Sequence, residues 1–276
     1  MRATVIQFEA TSHKARNIEA VRGLVAAAIA QDRADLVSLP EMWSCLGGDR
    51  AAKREAAEPL PTPGTPPGPA YAFMAEIARA HGIIVHGGSI AELAGETLFN
   101  TSLVFGSDGA ELVRYRKIHL FDITTPSGAG YRESSLFGAG KDVAVVSTVH
   151  ARLGLSICYD LRFPELFLAL RRQGAEVILI PSAFTAETGR DHWEVLVRAR
   201  AIETQCWVIA AATTGQHNDA AGNRRSTWGH SMIVDPWGTV RASLGDAPGF
   251  ATADIDLAQV ARVRDAMPVL QHRRLA

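Results

Sequence analysis

The 276-residue sequence predicts an α/β domain built on mixed β-sheet. Three observations predict it. Short apolar runs alternate with helical patterns along the chain, the order expected of layered α/β folds. Several of the runs are unbroken, such as Val177-Ile178-Leu179-Ile180, and runs of that kind suit sheets covered on both faces. The strands predicted at residues 143–149 and 153–157 are joined by a short turn, so part of the sheet is antiparallel. No internal repeat and no clear linker appears. A single domain over residues 1–276 is expected, with a split at the loop of residues 124–140 as the alternative.

The elements follow in order. Residues 3–8 read as a strand, 13–31 as an amphipathic helix and 35–40 as a short buried strand. Residues 59–69 carry six prolines and form a loop, because proline fits neither a helix interior nor a central strand. A helix is predicted at 70–80 and strands near 83–90, 100–105 and 112–116. The stretch 124–140 is polar and glycine-rich. After the strands at 143–149 and 153–157, Pro164 opens a helix through residue 173; its missing N–H is not needed in a first turn. A strand at 177–182 and a helix from about 190 to 205 come next. Strands at 207–213, 231–234 and 252–255 precede a last helix from Leu257.

Composition excludes several classes of function. With 47% hydrophobic residues the chain can bury a large core. A net charge of −1 gives no broad pull toward nucleic acid or an anionic membrane. No apolar run approaches the roughly 20 residues of a membrane span, and the N-terminus reads as a strand. The three cysteines Cys45, Cys158 and Cys206 are odd in number and far apart, which argues against a disulfide framework or thiolate metal site. A reducing, cytoplasmic setting is expected. Residues His119, His150, His192, His217 and His230 show no HxxxH spacing, and no glycine-rich phosphate loop is present, so neither a metal nor a nucleotide cofactor is implied.

Three apolar strands end in a chemically active side chain: Glu41 after Leu36-Val37-Ser38-Leu39-Pro40, Lys117 after Leu112-Val113-Arg114-Tyr115-Arg116, and Cys158 after Leu153-Gly154-Leu155-Ser156-Ile157. Ligands of open α/β folds lie outside the carboxyl ends of strands, so these ends are candidates to converge. Cys158 is followed by a tight polar turn and the Pro164 helix. Unpaired N–H groups at such a place favour a thiolate, so a lowered thiol pKa is expected. A small buried hydrophobe is the commoner fate of a free cysteine and suits Cys45 and Cys206. A buried Glu41 beside Met42 and Trp43 is expected to have a raised pKa and to act as a base. By itself it reads equally as a helix-start or salt-bridge carboxylate. Lys117, one of four lysines, is either a surface residue of an edge strand or a buried ammonium requiring a carboxylate partner.

Glu41 in Leu-Pro-Glu-Met, Lys117 in Tyr-Arg-Lys-Ile-His-Leu-Phe-Asp and Cys158 in Cys-Tyr-Asp-Leu-Arg-Phe-Pro-Glu together resemble the Glu-Lys-Cys triad of the nitrilase superfamily of carbon–nitrogen hydrolases. The segments at 181–184, 188–189, 192–194, 198–205 and 229–238 match as well. They are most similar to the branch that includes deaminated-glutathione amidase and ω-amidase. The resemblance implies a four-layer αββα sandwich with mixed sheets and a homodimer or larger assembly. It places a second glutamate on Glu133, otherwise an ordinary loop carboxylate.

It also implies that Cys158 attacks an amide carbonyl while Glu41 takes the thiol proton. Lys117 and the Tyr159 backbone N–H hold the oxyanion, and the resulting thioester is hydrolysed. The implied substrate is a small carboxylate-bearing amide, such as deaminated glutathione, split to acid and ammonia. Arg162 would hold the carboxylate, or else pair with Asp160 or Glu165. Rival activities are ω-amidase, N-carbamoyl amino acid hydrolase and nitrilase. Rivals of other kinds are a silent binding protein on this scaffold and a thiol redox sensor, which would need a resolving cysteine near Cys158.

Overall fold

A computed structural model of the chain describes residues 1–62, 64–219 and 222–275. The first half runs β1 (Arg2–Gln7), α1 (Lys14–Asp32), β2 (Leu36–Ser38), α2 (Arg50–Ala56), α3 (Pro69–His81), β3 (Ile84–His86), β4 (Ile90–Ala94), β5 (Thr97–Phe105) and β6 (Glu111–Arg116). Three short strands follow, β7 (Asp122–Thr124), β8 (Gly130–Arg132) and β9 (Phe137–Gly138). The second half runs β10 (Val145–Ser147), β11 (Arg152–Leu155), α4 (Pro164–Arg172), β12 (Val177–Leu179), α5 (Ala186–Thr204), β13 (Trp207–Ala210), β14 (Thr214–Asn218), β15 (Arg224–Trp228), β16 (Met232–Val234) and β17 (Val240–Ser243). β18 (Gly249–Asp254), α6 (Leu257–Ala266) and α7 (Val269–His272) close the chain.

Two mixed sheets form. The eight-stranded sheet has the order β18-β1-β2-β3-β5-β4, with β6 and β9 also on β5; the six-stranded sheet has the order β10-β11-β12-β13-β16-β17. Each has three parallel strands at its heart, β1-β2-β3 and β11-β12-β13, with antiparallel pairings outside them apart from the short β9, which runs parallel to β5. The 143–149/153–157 pair is antiparallel as expected, Val145 opposite Gly154.

The period of two along the first sheet separates two cores. Ala3, Val5, Leu36, Ile84 and Val104 face the second sheet and share one core with Leu153, Leu155, Val177, Leu179 and Ile209. Ile6, Val37, Val85, Leu103 and Phe105 point the other way and pack on Val21, Val25 and Ala28 of α1 and Phe73, Met74 and Ile77 of α3. Helices α4 and α5 cover the far face of the second sheet through Leu166, Phe167, Leu170, Trp193 and Val197. The layers are therefore α, β, β, α. The last strand returns to pair with β1, Arg2 opposite Asp254, and so ties the chain's end to its first sheet.

Helix boundaries follow their caps. Pro69 and Pro164 each open a helix, and the Thr185 hydroxyl accepts the Thr188 N–H, so α5 begins earlier than its apolar pattern suggests. Helix α2, the hairpin β14–β15 and β17 lie outside the sequence expectation. The hairpin runs Thr-Gly-Gln-His-Asn against Arg-Arg-Ser-Thr-Trp, polar apart from its glycine and last residue, and lacks the apolar alternation that reveals a strand. The strand expected at 83–90 breaks at Gly87-Gly88. A Cβ on Gly88 would collide with the Pro40 carbonyl oxygen, so this backbone passes directly against the turn that carries Glu41.

Candidate active site

An open cleft of about 540 Å³ lies where strand ends of both sheets meet. Its buried end holds Glu41 beyond β2, Lys117 beyond β6, Cys158 beyond β11 and Ala183 beyond β12. The ends of the three strands singled out in the sequence do converge, and residues 122–138 bring Glu133 to the same place. Those residues fold as the hairpin β7–β8, a 3₁₀ turn at Glu133–Ser135 and β9.

Lys117 is at the centre, about 2% exposed. Its Nζ donates to Glu41 Oε1 at 2.9 Å and to Glu133 Oε2 at 2.9 Å. Burial works against the ammonium, but the carboxylates of Glu133 and Glu41 outweigh it and hold the Lys117 pKa well above the ordinary lysine value. Of the two sequence alternatives for Lys117, the structure gives the buried ammonium, with two carboxylate partners. Glu41 Oε2 accepts the Ala183 N–H at 2.7 Å. The Trp43 indole donates to the Gly87 carbonyl at 2.9 Å. The Glu41 turn is pinned by the Ser89 hydroxyl, which accepts the Met42 N–H at 3.0 Å. Glu133 Oε2 also accepts the Phe121 N–H at 2.7 Å.

Cys158 takes φ +47°, a left-handed conformation that a side chain adopts at a cost of order 1–3 kcal/mol. The bend is held by its own N–H on the Pro181 carbonyl at 2.9 Å and by Asp160. Asp160 is fully buried. It accepts the Ile157 N–H and the Tyr115 hydroxyl on one oxygen, and the His119 N–H and Nδ1 on the other, at 2.7–3.0 Å. One carboxylate thus fixes the Cys158 turn to the segment that carries Lys117. The Tyr159 N–H has no acceptor among the described residues and follows the thiol directly.

The thiol departs from expectation. Burial, then the charge and hydrogen bond of Glu41, push the Cys158 pKa well above the ordinary thiol value, against a smaller pull from Lys117. Cys158 lies at the buried end of the cleft beside two carboxylates, and a 3₁₀ turn with Asp160 in it follows Cys158, so the dipole of α4 begins only at Pro164. Burial and the neighbouring Glu41 thus both disfavour the Cys158 thiolate. Burial also raises Cys45 and Cys206.

Asn100 was missed in the sequence. Its Nδ2 donates to Glu41 Oε1 at 2.9 Å and to Glu133 Oε1 at 3.2 Å, bridging the two carboxylates, while its buried Oδ1 has no partner. Nothing about an Asn inside the strand Thr97–Phe105 signals this role. Arg162 is not among the residues lining the cleft. It pairs with neither Asp160 nor Glu165. Its guanidinium meets His192 Nδ1 at 3.2 Å and lies 5.3 Å from the centre of the Phe184 ring and 5.9 Å from that of Tyr159. Among the described residues no group of three His, Cys, Asp or Glu side chains is placed to hold a metal ion. No helix among them is long and apolar enough to cross a membrane.

The family model for carbon–nitrogen hydrolases matches residues 2–265. The chain belongs to the carbon–nitrogen hydrolase family. It is 42% identical to a deaminated glutathione amidase of Synechocystis, covering 98% of this chain and 97% of that one. It is 39% identical to the Bos taurus protein of that name, covering 98% and 81%. Among solved structures it is similar to the Caenorhabditis elegans NitFhit protein, with TM-score 0.88 and 38% identity over 99% of this chain; the chain spans 65% of that longer protein. It is also similar to Saccharomyces cerevisiae Nit3, a member of the nitrilase superfamily, with TM-score 0.87 and 28% identity over 100% and 97% of the two chains. This carbon–nitrogen hydrolase has the α-β-β-α sandwich of the nitrilase superfamily and hydrolyses carbon–nitrogen bonds of amides.

Proposed function

We propose that this hydrolase cleaves a small carboxylate-bearing amide of the deaminated-glutathione kind, through a thioester on Cys158. The observation that carries the reading is the single buried ammonium of Lys117 bridging Glu41 and Glu133 beside a bent Cys158 whose next N–H is unpaired. A neutral thiol next to a carboxylate calls for proton removal during attack. Glu41 accepts that proton as the sulfur adds to the carbonyl carbon. Negative charge then builds on the carbonyl oxygen, where the Lys117 ammonium and the Tyr159 N–H receive it. Each such donor is typically worth ~2.7–4 kcal/mol in the transition state. Glu41 returns its proton to the departing nitrogen as the C–N bond breaks, leaving the thioester. Water, deprotonated by Glu41, then releases the acid and the thiol. Glu133 orients the amide nitrogen and the water, and Asn100 keeps the two carboxylates apart at fixed spacing.

Deaminated glutathione is the substrate favoured by the names of the relatives at about 40% identity. Its scissile nitrogen carries the cysteinylglycine unit, so the departing group is an amine; a simple primary amide would release ammonia. The reading includes one domain, supported by the core shared between both sheets. It includes a homodimer, supported by the exposed Val195 and Ile202 of α5 beside exposed Trp237. It includes a reducing compartment such as the cytoplasm, supported by the three free, buried cysteines. The test is a panel of amides assayed for amine or ammonia release. Hydrolysis of deaminated glutathione above α-keto acid ω-amides and neutral aliphatic amides is expected. Preference for a neutral amide or a nitrile would overturn the substrate reading.

A further inference from the structure

The two ends of the cleft differ in charge. The buried end holds two carboxyl groups around one ammonium. The mouth is lined by Arg50, Lys53, Arg132 and Arg225, against Asp49 and Asp219. A chain with net charge −1 has no general surplus of cations, so their concentration at the mouth is local. Such a gradient orients an anionic amide with its neutral amide inward and its charge outward.

Two of these cations stand apart. Asp49 caps α2 by accepting the Ala52 N–H at 2.8 Å, and the Gly48 N–H donates to the Asn218 carbonyl at 3.0 Å. These contacts dock the start of α2 on the end of β14. Lys53 of α2 and Arg225 of β15 consequently share His217 as a neighbour, and both oppose its protonation, although burial is the larger cause of its lowered pKa. Lys53 is half-buried, lines the cleft and has no ion-pair partner among the described residues. Arg225 is held over the Tyr131 ring at 4.8 Å, and two of its nitrogens meet one oxygen of Asp219 at 2.8 Å. The guanidinium is thus fixed at the wall of the cleft by Asp219 and Tyr131.

We propose that Lys53 and Arg225 form a receiving site for a substrate carboxylate remote from the scissile amide, on the leaving-group side. This rests on the reading that the substrate is a carboxylate-bearing amide, and it moves the selection of charge from Arg162 to the cleft mouth. In deaminated glutathione the group received is the glycine carboxylate. Its capture holds the leaving group while the acyl part reaches Cys158. The 540 Å³ of the cleft falls within the range of small-molecule sites and exceeds what a simple amide fills.

The test compares deaminated glutathione with the same compound capped as its glycinamide, using wild type, Lys53→Met and Arg225→Gln. Wild type is expected to favour the carboxylate form about tenfold in kcat/KM, equivalent to one charged contact. Either substitution is expected to bring the ratio close to one, chiefly through KM. Lys53→Met keeps the test decisive if loss of the Asp219 pairing loosens the hairpin in Arg225→Gln, which thermal melting would reveal. A wild-type ratio near one, or a ratio that survives both substitutions, overturns the subsite and leaves the proposed function standing. So does an equal loss on both forms. A wild type that hydrolyses neither form while hydrolysing other amides overturns both readings. Calorimetry of the two forms with Cys158→Ala measures the same preference without turnover, and equal affinities there also overturn the subsite.

Discussion

Replacing Glu41 by Gln keeps the size of the side chain and removes its charge. Glu41 accepts three N–H donors, from Asn100, Lys117 and Ala183. The amide of Gln presents one oxygen and one NH₂, so at least one of those buried donors faces another donor. The expected stability loss is about 1–3 kcal/mol for that unmet group, moderated because Lys117 retains Glu133. Turnover suffers far more. With no acceptor for the thiol proton and no acid for the leaving nitrogen, amide hydrolysis should fall by about 100- to 10 000-fold. Thiol ionisation moves in the opposite direction. Burial holds the Cys158 pKa up most, Glu41 adds to it through charge and hydrogen bond, and Lys117 lowers it. In Glu41→Gln the burial and the Lys117 contribution remain and both Glu41 contributions vanish, so the thiolate forms at lower pH. The rate of Cys158 alkylation by iodoacetamide against pH, read by mass spectrometry, should therefore shift to lower pH in the variant while turnover is lost. Turnover within tenfold of wild type, or an alkylation profile displaced to higher pH, would refute the role given to Glu41.

Lys117→Met leaves the buried Glu41 carboxyl facing the partly buried Glu133 carboxyl without a cation. Thermal or denaturant unfolding should show a loss of about 3–5 kcal/mol, and the folded fraction should lose at least about 100-fold in kcat through the missing oxyanion donor; an unchanged melting temperature would refute the charge balance described here. Arg162→Lys should reduce kcat/KM by similar factors on carboxylated and neutral amides, because the guanidinium lies by Tyr159, Phe184 and His192 outside the cleft lining. A loss confined to carboxylated amides would return Arg162 to substrate binding. His86 is buried between the Ser38 and Ser102 hydroxyls, and burial lowers its pKa to about 3. The unfolded chain takes up this proton below about pH 6.5, so stability falls as pH drops from there toward 3, by up to about 5 kcal/mol in all. His86→Gln should flatten that part of the stability curve, and parallel slopes for the two proteins would contradict it.

The strand ends were legible because they combine a strong local signal with a rare side chain. Unbroken runs such as Leu36-Val37 and Leu153-Gly154-Leu155 end in Glu41 and Cys158, and Lys117 is one of four lysines. The layer order followed from the resemblance. What stayed hidden acts across sequence distance. Asn100 is an unremarked strand residue until the pairing of β5 with β6 places it opposite the two carboxylates. Asp160 sits in the Cys158 motif, yet its partners Tyr115 and His119 lie more than forty residues away. The direction of the thiol shift was misjudged because local sequence shows a turn before a helix but not the depth of burial or the nearness of Glu41. The cationic mouth joins α2 to β15, two polar elements without the periodicity that sequence reading depends on.

The most direct test of the account is the chemical state of Cys158 during turnover. Wild-type enzyme mixed with an amide substrate and quenched in acid within the first turnovers is digested and weighed peptide by peptide. The account predicts that the peptide containing Cys158 gains the mass of the acyl group as a thioester, removable by hydroxylamine, while the peptides of Cys45 and Cys206 stay unmodified. An acyl group found on another residue, or steady turnover by Cys158→Ala, would contradict it.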